Sequence, residues 1–113
     1  MSGYIALAPK RGWFETARTK AFGAIVDAYS AIGTPIDHPT RIFIINNTTN
    51  KDAWISLDGT NNHFAIVAGG NLLIDDATNG ISISKGTTFY AKRYTPGDAP
   101  TSGDIIVSIG YKV

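Results

Sequence analysis

His38, His63, Asp58, Asp75 and Asp76 are the side chains of this 113-residue sequence best suited to metal or proton chemistry. Imidazoles and carboxylates hold a metal when spacing brings them together, as in an H-x-x-x-H helix face. Here His38 precedes a proline, His63 sits at a turn exit, and no such spacing links them. The run Asp58-Gly59-Thr60-Asn61-Asn62 is rich in oxygen but lacks the alternate carboxylates and closing glutamate of a calcium loop, so it reads as a tight turn. Asp75 and Asp76 are adjacent and would point to opposite faces of a strand, which prevents acid–base cooperation and suggests a strand end. The nucleophile and phosphate motifs GxSxG, SxxK, GxxxxGK[ST] and GxGxxG are missing. The expectation is a non-enzymatic chain with no cofactor and no metal.

A second cluster could bind rather than react. Lys10, Arg11, Arg18 and Lys20 against Glu15 make residues 1–20 locally basic, whereas the remaining residues carry more acidic than basic groups and the whole chain is only +1. Tyr4, Trp13 and Phe14 beside these cations could stack on bases while the cations touch phosphate. The body offers no basic patch to extend such a site, so an acidic protein surface is the better partner and nucleic acid is not expected. Lys10, Arg11, Trp13, Phe14 and Arg18 are therefore the candidate partner-binding residues. Apolar groups in residues 1–20 follow no period, which reads as an extended N-terminal arm, packed on its own domain or on a neighbouring subunit, ahead of a single domain spanning 21–113.

The elements that would position these residues are strands. With no cysteine and 43% hydrophobic residues, the sequence describes one domain held by packing alone. No run reaches the ~20 apolar residues of a membrane span. The first residues also lack the apolar stretch of a secretory signal, so export by that route and glycosylation of the Asn46 and Asn47 sequons are not expected.

Period-2 alternation predicts strands at Arg41 to Asn46, Ala53 to Leu57 and Phe64 to Val67, with Asp58-Gly59 as a hairpin turn and residues 46–50 as a polar loop bonding its own backbone. Further strands are predicted at Asn71 to Ile74, Ile81 to Ser84, Thr88 to Tyr94 and Ile105 to Val113, with Asn79-Gly80 as another hairpin and residues 95–103 as an exposed loop. Thr19 to Ile32 fits a helix or a strand; its β-branched residues and glycines favour a strand. About eight strands without a confident helix predict an antiparallel β-sandwich or small barrel.

The ordered segments YSAIGTPI, RIFIINNTTNKDAWISLDGTNNHF, AGGNLLID, ISKGTTFYAKR and PTSGDIIVSIGYKV resemble small virion structural proteins of tailed bacteriophages. The resemblance covers roughly residues 29–113 and rests on the shared order of the motifs. It implies a jelly-roll-like β-sandwich without activity of its own, best matched by capsid decoration or cement proteins. Head-to-tail adaptors or tail-completion proteins forming a ring are the alternative. The expected partners are the major capsid protein or other virion proteins, with self-association and no membrane contact. The implied location is the virion, assembled in the host bacterial cytoplasm. A receptor- or glycan-binding module using the loops at Asn46 to Asp52 and Thr95 to Gly103 is a third reading, though those loops hold no aromatic residue.

Overall fold

The computed structural model describes residues 12–112. They form two antiparallel sheets built from β1 (Gly12–Phe14), β2 (Arg18–Ala21), β3 (Ser30–Ala31), β4 (Ile42–Asn47), β5 (Ala53–Ser56), β6 (Phe64–Ile66), β7 (Asn71–Asp75), β8 (Tyr90–Arg93) and β9 (Asp104–Lys112). In the larger sheet β1 and β2 both pair with one side of β9, followed by β4 and β7. The smaller sheet runs β3-β8-β5-β6. From β2 onwards every connection passes between the sheets, except the β5–β6 hairpin.

Alternation places the core. In β4, Phe43, Ile45 and Asn47 point inward while Ile42, Ile44 and Asn46 point out; in β9, Ile105, Val107 and Ile109 are fully buried. They meet Ala53, Ile55, Phe89 and Ala91 from the smaller sheet, with the Phe43 and Phe89 rings edge to face at 5.5 Å. Asn47, a polar residue among these, uses both ends of its amide. Its Nδ2 donates to the Lys51 and Ile66 carbonyls, and its Oδ1 accepts from the Thr49 amide and hydroxyl. The polar loop after β4 thus bonds its own backbone, as its composition suggests.

The strand predicted at Ile81 to Ser84 is not formed. Thr40 bonds the Ile83 backbone in both directions, through its amide at 2.9 Å and its hydroxyl at 2.8 Å. From Arg41 onward the backbone is committed to the larger sheet, Arg41 donating to the Gly110 carbonyl and accepting from the Asp76 amide, so the pairing goes no further. Asn79-Gly80 closes no hairpin either: Asp75 caps a single helical turn, α1 (Asp76–Asn79), and Gly80 terminates it in the left-handed region. The continuous strand favoured for Thr19 to Ile32 is also replaced. After β2 the chain makes a 3-10 turn at Phe22–Ala24 and crosses to the smaller sheet, burying Ile25 and Ile32 and leaving Phe22 and Val26 largely exposed.

Gly103 marks the tightest backbone approach before β9. Its φ is +85°, and a Cβ there would lie 2.1 Å from the Thr48 carbonyl oxygen. Neither backbone can yield without breaking the Thr48–Asp104 hydrogen bonds. Gly103→Ala is expected to destabilise the fold by about 2–4 kcal/mol, from strain and overlap together, measured as a lower denaturation midpoint at unchanged m value.

Candidate functional site

The N-terminal edge of the larger sheet is built around a buried ion pair. Phe14 pairs with Gly110 and Arg18 with Val107, so residues 15–17 oppose only two residues of β9 and form a bulge, tied by the Glu15 amide to the Ile109 carbonyl at 3.0 Å. The bulge turns Glu15 and Arg18 toward the loop at residues 33–38. Their side chains are only 6% and 8% exposed and meet at 2.9 Å. Arg18 donates to the Thr34 and Pro35 carbonyls at 2.7 and 2.9 Å, and to Thr16 at 3.3 Å. Glu15 accepts from the Asp37 amide and lies 2.7 Å from His38 Nδ1, while the His38 ring stacks flat on Tyr111 at 3.6 Å. Burial alone would raise the Glu15 carboxyl; the hydrogen bonds from His38, Asp37 and Arg18, with the Arg18 charge, hold it below its ordinary 4.5.

This arrangement is a latch. A carboxylate that orients a histidine is also half of a general-base dyad, but among the described residues no hydroxyl is hydrogen-bonded to the other ring nitrogen of His38. A cleft of about 630 Å³ beside it is lined by Glu15, Arg18, Thr34 and His38, whose charged groups are directed at their own chain.

The candidate partner residues therefore separate. Lys10 and Arg11 lie outside the described residues. Arg18, expected to meet an acidic partner, is instead committed to Glu15 and the 33–38 loop. Trp13 and Phe14 remain at the surface, 47% and 62% exposed. The boundary expected after residue 20 is also corrected, because it falls inside β2 and the described part of the proposed arm is an edge strand of the sheet. The signal for this was Glu15 and Arg18 themselves, two opposite charges bracketing a three-residue step in a stretch without period.

Sequence reasoning missed the outer face of the larger sheet. Register places Phe14, Gly110 and Ile42 in one row, Ser108, Ile44 and Leu73 in the next, and Thr19, Ile106, Asn46 and Asn71 in the third. Gly110 confirms the first row, since a Cβ there would touch both Ile42 and the Phe14 ring. Phe14, Ile42, Ile44, Leu73 and Ile106 thus form an apolar strip on the outside of the sandwich, with Asn46, Asn71, Thr19 and Asp75 around it. The sequence signal was available in β4, where Ile42 and Ile44 make the outer face apolar beside the inner Phe43 and Ile45, the mark of a strand covered on both sides.

The smaller sheet presents a different outer face. Trp54 stacks on Tyr94 at 4.9 Å, the Lys92 ammonium lies 4.7 Å from the Tyr29 ring centre, and the Tyr29 hydroxyl bonds Asn62. Asp58 next to it is consumed by its turn, accepting from the Thr60 and Asn61 amides, the Asn61 carboxamide and the Ser56 hydroxyl. These bonds hold its carboxyl far below the usual range, with the Asn61 amide contributing most. His63 Nδ1 accepts from the Leu57 amide in the same hairpin. The 95–103 loop is surface-exposed but tethered, through Asn50 to Thr101, Lys51 to Asp98 and Asp27 to the Gly97 amide.

No protein-family model matches the chain, and a search of curated proteins finds no similar sequence.

The latch makes a pH-dependent prediction. Glu15→Gln should cost about 1–3 kcal/mol at neutral pH, because it removes one charge of a buried pair and leaves Arg18 short of an acceptor. Because the folded-state carboxyl is lowered, its stabilisation is complete above the unfolded value and is lost as pH falls through the folded value. Denaturant titrations of both proteins should show their difference shrinking as pH falls below 4.5.

Proposed function

We propose that this chain is a non-enzymatic structural protein of a tailed-phage virion, a capsid decoration or cement protein that bridges neighbouring shell subunits. The observation that carries this reading is the apolar strip on the outside of the larger sheet, in which Phe14 and Leu73 are exposed and Ile42, Ile44 and Ile106 half-buried between them. A sandwich that only had to fold would gain by making that face polar, and contiguous exposed apolar surface marks an interaction site. The strand orders, with β1 and β2 counted as one edge, support a jelly-roll reading of the sandwich. This agrees with the motif order that resembles phage virion proteins.

In this reading the strip docks on the major capsid protein, with Phe14 at its β1 end and the exposed Trp13 adding contact area at the sheet edge. Lys10 and Arg11 meet acidic groups on the shell. Binding to the assembled lattice and not to dispersed subunits stabilises the shell by mass action. A ring at the head-to-tail junction is the alternative, and the same strip would then lie between subunits of the ring.

Co-sedimentation with undecorated shells tests the proposal. The wild-type chain should pellet with shells. The double variant I44K/I106K, altered only on the outer face, should stay folded and lose at least about tenfold in affinity. Removal of residues 1–11, which leaves the latch and β1 in place, should weaken binding less and reduce its salt sensitivity. Full-strength binding by the double variant would overturn the assignment of the surface; no binding by the wild type would overturn decoration.

A further inference from the structure

We propose that β7 is a homodimerisation edge, pairing antiparallel with β7 of a second copy about a two-fold axis at Leu73. Sheet edges expose backbone donors and acceptors, and proteins usually blunt them with short strands, bulges, charge or cover. Among the described residues the two sheets have four edges, and three are blunted. β3 has two residues and β6 three. The β1–β2 edge is broken by its bulge and overlaid by the 31–38 segment, to which Arg18 and Lys20 reach across. β7 is different: five residues, Asn71-Leu72-Leu73-Ile74-Asp75, with no proline, no basic residue and, among the described residues, only β4 beside it in its sheet.

The hydrogen-bond alternation fixes which groups point to the open side. The Asp75 amide donates to Asn79 Oδ1 at 2.8 Å, and the next amide, Asp76, donates to the Arg41 carbonyl at 2.7 Å. Asp75 therefore occupies a non-hydrogen-bonded position opposite Ile42, and its backbone groups face away from β4. With a period of two, so do those of Leu73 and Asn71.

A two-fold axis at Leu73 sets each Leu73 opposite the other and each Asn71 opposite Asp75 of the second copy. The two Leu73 residues exchange both backbone bonds. Asn71 and the opposing Asp75 likewise exchange both backbone bonds, the Asp75 amide trading its bond to Asn79 Oδ1 for the Asn71 carbonyl of the second copy. The side chains agree with this register. Leu73, 52% exposed, meets its own counterpart beside Ile44 of each copy, and the Asn71 carboxamide faces the Asp75 carboxylate. The two larger sheets then become one, and the apolar strip runs continuously across the axis. The interface is self-complementary, as a two-fold contact must be.

The test uses the purified full chain without shells, so its outcome is independent of the virion assignment. Sedimentation equilibrium should show a reversible dimer. The chain has no cysteine, so Leu73→Cys introduces the sole thiol. A short bifunctional thiol reagent should join L73C into covalent dimers in high yield, whereas I106C, on the same face but away from the axis, should stay uncoupled. Leu73→Lys should weaken the dimer by at least about tenfold while circular dichroism shows the same fold. A wild-type chain that remains monomeric would overturn the proposal. So would an oligomer in which L73C fails to couple, since its subunits would then meet elsewhere. If L73K does not fold, the coupling experiment decides alone.

Discussion

The fold depends on β9 being paired along both sides. Its backbone receives β1 and β2 on one flank and β4 on the other, so the larger sheet has no continuity without it. The same strand sets the two faces, because Ile105, Val107 and Ile109 enter the core only if Ile106, Ser108 and Gly110 face away. A one-residue slip would exchange these sets and expose three fully buried side chains. Gly103 and the Thr48–Asp104 bonds fix where β9 starts, and therefore which residues reach each face. The outer apolar strip is thus a consequence of register as much as of composition.

The latch answers a problem created by that pairing. An edge strand is held on one side only and opens more easily than a central one. Here the bulge at residues 15–17 sends a carboxylate and a guanidinium under the 33–38 loop, where backbone carbonyls and an amide complete their coordination. A buried pair of this kind adds little net stability over an apolar contact, but removing either partner leaves the other charge buried without its match. The cost is that Arg18 is unavailable to a partner. What remains at the surface along this edge is aromatic, with Phe14 continuous with the outer face.

Much of this was legible in the amino-acid pattern. The alternation of Phe43, Ile45, Ile55, Val107 and Ile109 located the core, and Asp58-Gly59 located the β5–β6 turn. The errors fell where tertiary contacts decide the outcome. Ile81 to Ser84 alternates like a strand, but its neighbour is a loop that can offer only one bonded residue before Arg41 joins the larger sheet. Phe22 to Ile32 has strand-like composition, but the chain must cross between sheets there, and a crossing cannot stay extended in one ladder. The site was half visible. Trp13 and Phe14 stood out as anchors, whereas Ile42, Ile44, Leu73 and Ile106 form a surface only once register places β4, β7 and β9 side by side.

The proposed function makes the larger sheet, not the loops or the aromatic face of the smaller one, the working surface. Hydrogen–deuterium exchange on the free chain and on the chain bound to undecorated shells measures this directly. Binding is expected to slow exchange in β1 and in the β4 and β9 backbone beneath the strip, with the β7 edge already protected in the free dimer and the 58–63 and 95–103 loops unchanged. Protection confined to those loops or to β5 and β8 would contradict it and move the binding surface to the opposite side of the sandwich.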